Sequence, residues 1–394
     1  MKLAEKIRSG MLAPVFANGI YMLLPGLINQ VLAFFVIGFS GSDSWGSIVQ
    51  LQLYYYLVTA ITAWGNKEFL LVHFSKKPGM VTGLWQQSLL TRFCMLLLPI
   101  LMLTFIIYPA VVAIHLCCWI MLRYFTQSFE SVATYYKKYK AVLISEIAAW
   151  LPVTLLFFYT EQLQVEQVLL ILTLIHLCRA LVLFFSYTRL TKGLLSNAIK
   201  PAQLALAAPF MLLSLAGFLQ AKSDLYCISF MEQKNATGDY QVLMSYVSLC
   251  LLVPGFLITP YTADIYKMTS TALRSFQRWL NLAGTAIGLV GISVVYIIMR
   301  FVYLLDFDLI DYLLAGFYVV LPYFYVLGIY GMYKSGNQSR VMLISCSGIL
   351  VNTIVCILLI PLWGITGALV ANCMSQIFLF VFYRLQHHGI AGKE

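Results

Sequence analysis

Residues 348–376 read GILVNTIVCILLIPLWGITGALVANCMSQ. The run is apolar up to Ile360, turns at Pro361, Trp363, Gly364 and Gly367, and is apolar again from Ala368. Proline ends a helix because it lacks the backbone donor and clashes with the preceding turn. Glycine tolerates the backbone angles of a tight reversal and lets chains approach closely. Each arm, followed outward, is long enough to cross a hydrocarbon core of ~30 Å, which takes about 20 residues. The stretch therefore predicts two membrane-crossing helices joined by a short hairpin.

The same pattern fills the rest of the chain. Hydrophobic residues make up 61% of the 394 and charged residues only 10%, against roughly 25% charged in an ordinary soluble chain. Polar gaps are too short for a sizeable soluble domain. The net charge of +10 does not indicate nucleic acid, because the cations sit in short clusters between apolar runs rather than on one continuous face. All nine cysteines lie inside apolar runs without zinc-site spacing, so they read as small core residues. The start, MKLAEKIRSG, resembles the charged beginning of a signal peptide. The apolar run that follows is too long for one, and reads as a retained first helix.

Spans are predicted near 13–40, 45–65, 80–106, 110–134, 141–160, 165–187, 203–231, 240–263, 277–303, 309–333, 340–361 and 363–385. Only Tyr108 and Pro109 separate the third from the fourth, so one long helix is the competing reading there. Cations set the orientation. Alternate segments beginning with the N-terminus hold 19 of the 25 lysines and arginines, and the intervening ones hold two, Lys234 and Arg300. Both termini are therefore expected in the cytoplasm, with an even number of spans. The outer loops carry Asp43, Glu161, Glu166, Asp239, Asp306, Asp308 and Asp311.

The chain divides near residue 195 into 1–195 and 196–394, six spans each, joined by TRLTKGLLSNAIKP. In each half a basic amphipathic segment, NKEFLLVHFSKKP or YKMTSTALRSFQR, links the second and third spans, as suits a helix lying in the inner interface. Two matching halves around a central cavity is a common transporter plan.

Four cations fall within spans: Arg92, Arg123, Arg179 and Lys222. Ionised groups at mid-membrane cost at least ~2.5 kcal/mol each, so these should line a wet cavity, pair with acids, or snorkel. Arg123 lies midway along the fourth span. Helical spacing puts it on one face with His115, Trp119, Gln127 and Glu130, a polar stripe that should face the interior. A pairing of Arg123 with Glu130 or Glu146 that merely holds the bundle is the structural alternative. Lys222 and Asp224 are two apart in the seventh span, so they point to nearly opposite sides and at least one should reach another helix or a cavity. Arg92 follows Gln86, Gln87, Ser88 and Thr91 and is expected near the inner mouth. Arg179, beside His176, is expected to snorkel, and Arg300 to be satisfied by Asp306 or Asp308. Asn18, Pro25 and Asn29 share a face of the first span, where the proline is expected to kink it. The clustered tyrosines at 54–56 and 318–333 fit interfacial belts and packing, or stacking on sugars.

Catalytic motifs are sparse. There is no phosphate-binding loop and no His/Cys metal motif, so no cofactor and no metal are expected. The one enzyme-like feature is LLDFDLID, whose aspartates could hold a divalent ion in a membrane glycosyltransferase or polymerase. Such enzymes usually carry a large outer loop or soluble domain, and this chain has neither.

The hairpin at 348–376 resembles the late spans of polysaccharide and O-antigen (Wzx-type) flippases of the multidrug/oligosaccharidyl-lipid/polysaccharide (MOP) export superfamily. In them an asparagine in the eleventh helix precedes an LIP–aromatic–G-I-x-G-A turn. Asn352, Pro361, Trp363, Gly364, Gly367 and Ala368 occupy those positions here. Weaker matches are Asp224 in the seventh span, followed by GDY at the start of the eighth, and Gly41, Trp45, Gly46 and Gln52 around the second. The resemblance implies an all-α integral membrane protein of about twelve transmembrane helices in two six-helix lobes around a central cavity. It also implies that an undecaprenyl-diphosphate-linked oligosaccharide is flipped across the bacterial inner membrane by alternating access, for surface polysaccharide such as lipopolysaccharide O-antigen. On that reading Arg123, Lys222 and Arg92 contact the anionic headgroup, and Asp224 and Glu130 balance them or bind a coupling proton. The expected partners are the lipid-linked substrate, membrane lipids, and the polysaccharide polymerase and chain-length proteins. A multidrug extruder of the same fold is the nearest rival, but it usually wants a net acidic cavity.

Overall fold

A computed structural model describes residues 12–136, 139–158, 163–194, 198–258, 265, 268, 270–334 and 337–391. Nearly all of these are helical, and no strand occurs among them. Nine helical segments are long and apolar enough to cross a membrane, ten when the bent pair Ala202–Leu212 and Ser214–Met231 is taken as one span. Two of the segments, Leu23–Lys76 and Ser339–Leu385, run to 54 and 47 residues, more than twice what one crossing needs. Each is interrupted by a glycine with non-helical backbone angles, Gly41 or Gly364, and the first turns again at Trp64 and Gly65. Divided at those glycines, the described residues contain twelve spans, close to the boundaries read from hydropathy.

The first two spans form α1 (Leu12–Ala63), broken at Gly41. The helix passes through Pro25 without leaving helical angles, so the break lies in the GSDSWG turn and not at the proline. The side chain of Asn18 lies outside the described residues. After a turn at Gly65, α2 (Asn66–Lys76) follows, with Phe69, Leu70 and Phe74 buried and Lys76 and Lys77 exposed just beyond. Of the matching segment after the eighth span, residues 270–278 form the first turns of the ninth-span helix rather than a separate interfacial one, with Leu273 and Phe276 packed on a buried cluster of Ile258, Ile265, Leu280 and Leu327. The third span is α3 (Val81–Arg92), a π turn and α4 (Leu98–Ile107). Tyr108 is extended, with φ −114° and ψ 152°, and Pro109 caps α5 (Ala110–Tyr135). The restricted residue before proline thus ends the third span and opens the fourth, which excludes the single long helix. The fifth and sixth spans are α6 (Lys140–Ala148) with its 3-10 extension Pro152–Phe158, and α7 (Val165–Ser186), followed by the short α8 (Thr188–Thr191). The remainder comprises α9 (Ala202–Met231), α10 (Lys234–Ile258), α11 (Ser270–Ile297), α12 (Leu309–Lys334) and α13 (Gln338–Ala391).

The reversal inside α13 bears out its reading as a glycine hairpin. Gly364 has φ +54°, an angle that side chains disfavour. At Gly367 an added Cβ would lie 2.4 Å from the Leu359 carbonyl oxygen, so the two arms touch through backbone.

By contacts the chain forms two compact units. One holds the described residues through Gly38 together with those from Leu219 onward, and the other holds Phe39–Phe218. The first span is tied to the former by Tyr303, which donates to the Gln30 carbonyl at 2.8 Å. The latter is packed around Trp85, stacked on Phe129 at 5.2 Å and donating to the Ser128 carbonyl at 3.0 Å.

Candidate functional site

Polar side chains inside the spans gather into one cluster per unit. In the 39–218 unit the centre is an aromatic group. Tyr55 meets Trp119 edge-on at 6.0 Å and His176 at 5.3 Å. The Trp119 indole donates to the Thr173 hydroxyl at 2.7 Å, and that hydroxyl donates in turn to the Leu169 carbonyl at 2.8 Å. His115 Nδ1 lies 2.8 Å from the same hydroxyl. With the Thr173 proton committed to Leu169, the imidazole must be the donor, so Nδ1 carries hydrogen.

Two ion pairs flank this group. Arg123 meets Glu130 at 2.8 Å, two turns further along the same helix. Arg179 meets Glu146 on the neighbouring fifth span through Nη2 at 2.8 Å and Nε at 3.1 Å. The second pair is the more enclosed: its side chains are 12% and 8% exposed, against 32% and 16% for Arg123 and Glu130. Arg179 is therefore held by a carboxylate and does not snorkel. A paired charge is a cheaper arrangement in hydrocarbon than an isolated one.

Arg92 is placed otherwise than an inner-mouth residue would be. It is fully buried, donates to the Ser88 hydroxyl, and lies 5.5 Å over the Phe69 ring. Ser88 donates to Asn66 at 2.6 Å. Arg92 thus ties α3 to α2, and in this conformation it presents no surface to a ligand. The sequence spacing could not show this, because burial depends on how α2 folds back over α3.

In the other unit the centre is Asp224, 4% exposed. One of its oxygens accepts from the Tyr240 hydroxyl and, at 2.7 Å, from the Asn372 amide. The other accepts the Leu225 backbone N–H at 2.8 Å. The seventh, eighth and twelfth spans therefore converge on one carboxylate. Lys222 is half-buried on the same helix, and the two side-chain donors to Asp224, Tyr240 and Asn372, come from other helices. Asn352 donates to Ser223 at 3.0 Å, which adds the eleventh span. Asn372 escaped the sequence reading, although Asn372, Ser375 and Gln376 stand out as polar in an apolar span.

Two of the three aspartates of LLDFDLID have side-chain partners. Arg300 pairs with Asp306. Asp311 accepts from the Asp308 backbone N–H at 3.2 Å, capping α12, and from Thr366 at 2.6 Å. Several tyrosines make interhelical bonds: Tyr54 with Thr104 at 2.8 Å, Tyr323 to the Cys250 carbonyl at 3.1 Å, and Tyr325 to Gln376 at 2.7 Å. Among the described residues no group of three or more His, Cys, Asp or Glu is arranged to hold a metal ion.

Solved transporters share this architecture. The chain superposes on the lipid II flippase MurJ, in an inward closed conformation, with a TM-score of 0.65, at 15% identity and covering 94% of this chain and 87% of that one. An inward-facing multidrug resistance MATE family transporter of the MOP superfamily gives 0.67, at 11% identity over 93% and 95%. A MATE in complex with Br-NRF gives 0.54, at 11% identity over 96% and 95%. No protein-family model matches the sequence, and no curated protein does. This is an all-α, multi-pass membrane protein with the fold of MOP superfamily transporters.

Proposed function

We propose that the protein is a flippase that moves an undecaprenyl-diphosphate-linked oligosaccharide from the inner to the outer leaflet of the bacterial cytoplasmic membrane, for surface polysaccharide assembly. The observation that carries this reading is the Arg123–Glu130 pair. Arg123 is a mid-span guanidinium, partly exposed, set on the same helix face as an aromatic group. A partly solvated ion pair is worth little in itself, so a diphosphate can displace the carboxylate and take the guanidinium as a bidentate partner. Lys222, in the other unit, is a second in-span cation. Glu130 and Asp224 balance these charges or take up a coupling proton. Arg92 serves as a positioning group in the conformation described here. The LIPLWGITGA hairpin and the MurJ-like fold support the same reading. The asymmetry of lysine and arginine supports cytoplasmic termini. A polymerase and chain-length proteins would act on the product.

A second reading, extrusion of organic cations, is favoured by one observation: Arg123 and Arg179 each face a glutamate, so those two pairs add no net positive charge. Deletion of the gene separates the readings. A flippase predicts lipid-linked repeat units retained on the cytoplasmic leaflet, measured by protease-free leaflet labelling of the saccharide. Normal translocation together with hypersensitivity to cationic drugs would establish the extruder instead.

A further inference from the structure

The third span gathers the cations at one end of the 39–218 unit. Its helical segment, Pro78–Ile107, has 30 residues. About 20 of them cross the hydrocarbon core. Counted back from the turn at Tyr108 and Pro109, the stretch before Ser88 therefore lies at headgroup level. Lys76 and Lys77 stand exposed just ahead of it, where the Met80 N–H donates to the Lys77 carbonyl at 3.0 Å. The sixth span ends at Ser186, and the chain beyond it folds onto the same helix. The Gln86 amide donates to the Leu190 carbonyl at 2.7 Å and to the Lys192 carbonyl at 2.8 Å. The Lys200 N–H donates to the Thr91 hydroxyl at 2.9 Å. Gln86 is buried, so the backbone carrying Arg189 and Lys192 is pinned to the third span, about 14 Å along the helix from Lys77. Arg189, Lys192 and Lys200 are all exposed.

These five cations have no carboxylate to balance them. Neither 69–129 nor 167–200 contains an aspartate or glutamate. Of the acids bordering those stretches, Glu130 pairs with Arg123, Glu166 lies at the opposite end of the sixth span, and Glu68 is exposed two turns back from Lys76. Exposed Met80, Phe185 and Ile199 stand close to the cations in sequence and suit contact with acyl chains. We propose that Lys76, Lys77, Arg189, Lys192 and Lys200 form a docking surface for anionic phospholipid of the bilayer. The phosphate diester accepts from the ammonium and guanidinium groups, and a basic surface between span ends is the form such recognition takes. The fixed connector holds the charges in place before the lipid arrives, so little ordering is lost on binding. The surface serves a flippase and an extruder alike, because the lipid it holds is not the cargo.

The full-length protein is placed in nanodiscs of phosphatidylcholine and phosphatidylglycerol, and the lipid that leaves with it is measured by native mass spectrometry. The wild type should retain phosphatidylglycerol in preference to phosphatidylcholine. Lys76→Gln, Lys77→Gln and Lys192→Gln combined should cut that preference by on the order of tenfold or more, since each cation beside an anionic surface contributes roughly fivefold. Arg274→Gln, Arg278→Gln and Arg340→Gln combined remove the same charge from the other unit and should leave most of the preference. Photoactivatable phosphatidylglycerol should label wild-type peptides within 72–80 and 185–200, a readout that stands even if a variant fails to fold. No preference in the wild type, equal losses in the two triple variants, or labelling confined to other segments would each overturn the assignment. Displacement of phosphatidylglycerol by an equimolar amount of undecaprenyl diphosphate would give the surface to the cargo lipid and overturn it as well.

Discussion

Tyr240, near the start of the eighth span, donates its hydroxyl proton to Asp224 on the seventh, and Asn372 of the twelfth donates to the same oxygen at 2.7 Å. Three neutral donors converge on one buried carboxylate, and the two side-chain donors hold three helices together. Tyr240→Phe removes one hydrogen bond to a charged group, worth about 1.5–3 kcal/mol. Thermal unfolding in detergent should show that loss. If Asp224 takes up a coupling proton, the same variant should also shift the pH dependence of transport, whereas a purely structural Asp224 leaves the pH profile in place.

Arg123→Ala should abolish or strongly reduce export while leaving protein abundance near wild type, because a pair exposed to this degree contributes only about 0–1 kcal/mol to stability. Arg123→Lys should restore less than full export, since an ammonium lacks the planar fork that binds phosphate in a bidentate way. Unaltered export in Arg123→Ala would remove this residue from the site.

Arg179→Ala is expected to behave differently. It strands Glu146 in an enclosed setting, which costs about 3–5 kcal/mol. Membrane abundance and melting temperature should fall, and the double variant with Glu146→Gln should recover much of the loss. Equal effects of Arg123→Ala and Arg179→Ala on abundance would contradict this division of roles.

Gly367→Ala should destabilise the hairpin of the last two spans by about 1–3 kcal/mol, as overpacking does, because its Cβ would meet the Leu359 backbone at 2.4 Å. Protease sensitivity at the reversal reports it.

Much of this was legible in the chain, and the reason is the solvent. In hydrocarbon every backbone polar group must be satisfied within its own segment, so apolar length alone located the spans, and Pro109, Gly41 and Gly364 marked their ends. Charge placement predicted the orientation for the same reason. The in-span ionisable residues could be listed because each is costly to place there. Their partners could not, since a helix specifies which residues share its face but not which neighbouring face it meets. Arg92 against Phe69, Arg179 against Glu146, and Asp224 between Tyr240 and Asn372 join residues 23, 33, 16 and 148 positions apart. The sequence by itself determined a helical membrane protein, its span boundaries and its inventory of buried charge. Only tertiary packing decided which of those charges are neutralised, which is sealed in the interior, and which stays within reach of a ligand, because desolvation depends on what lies across the helix interface.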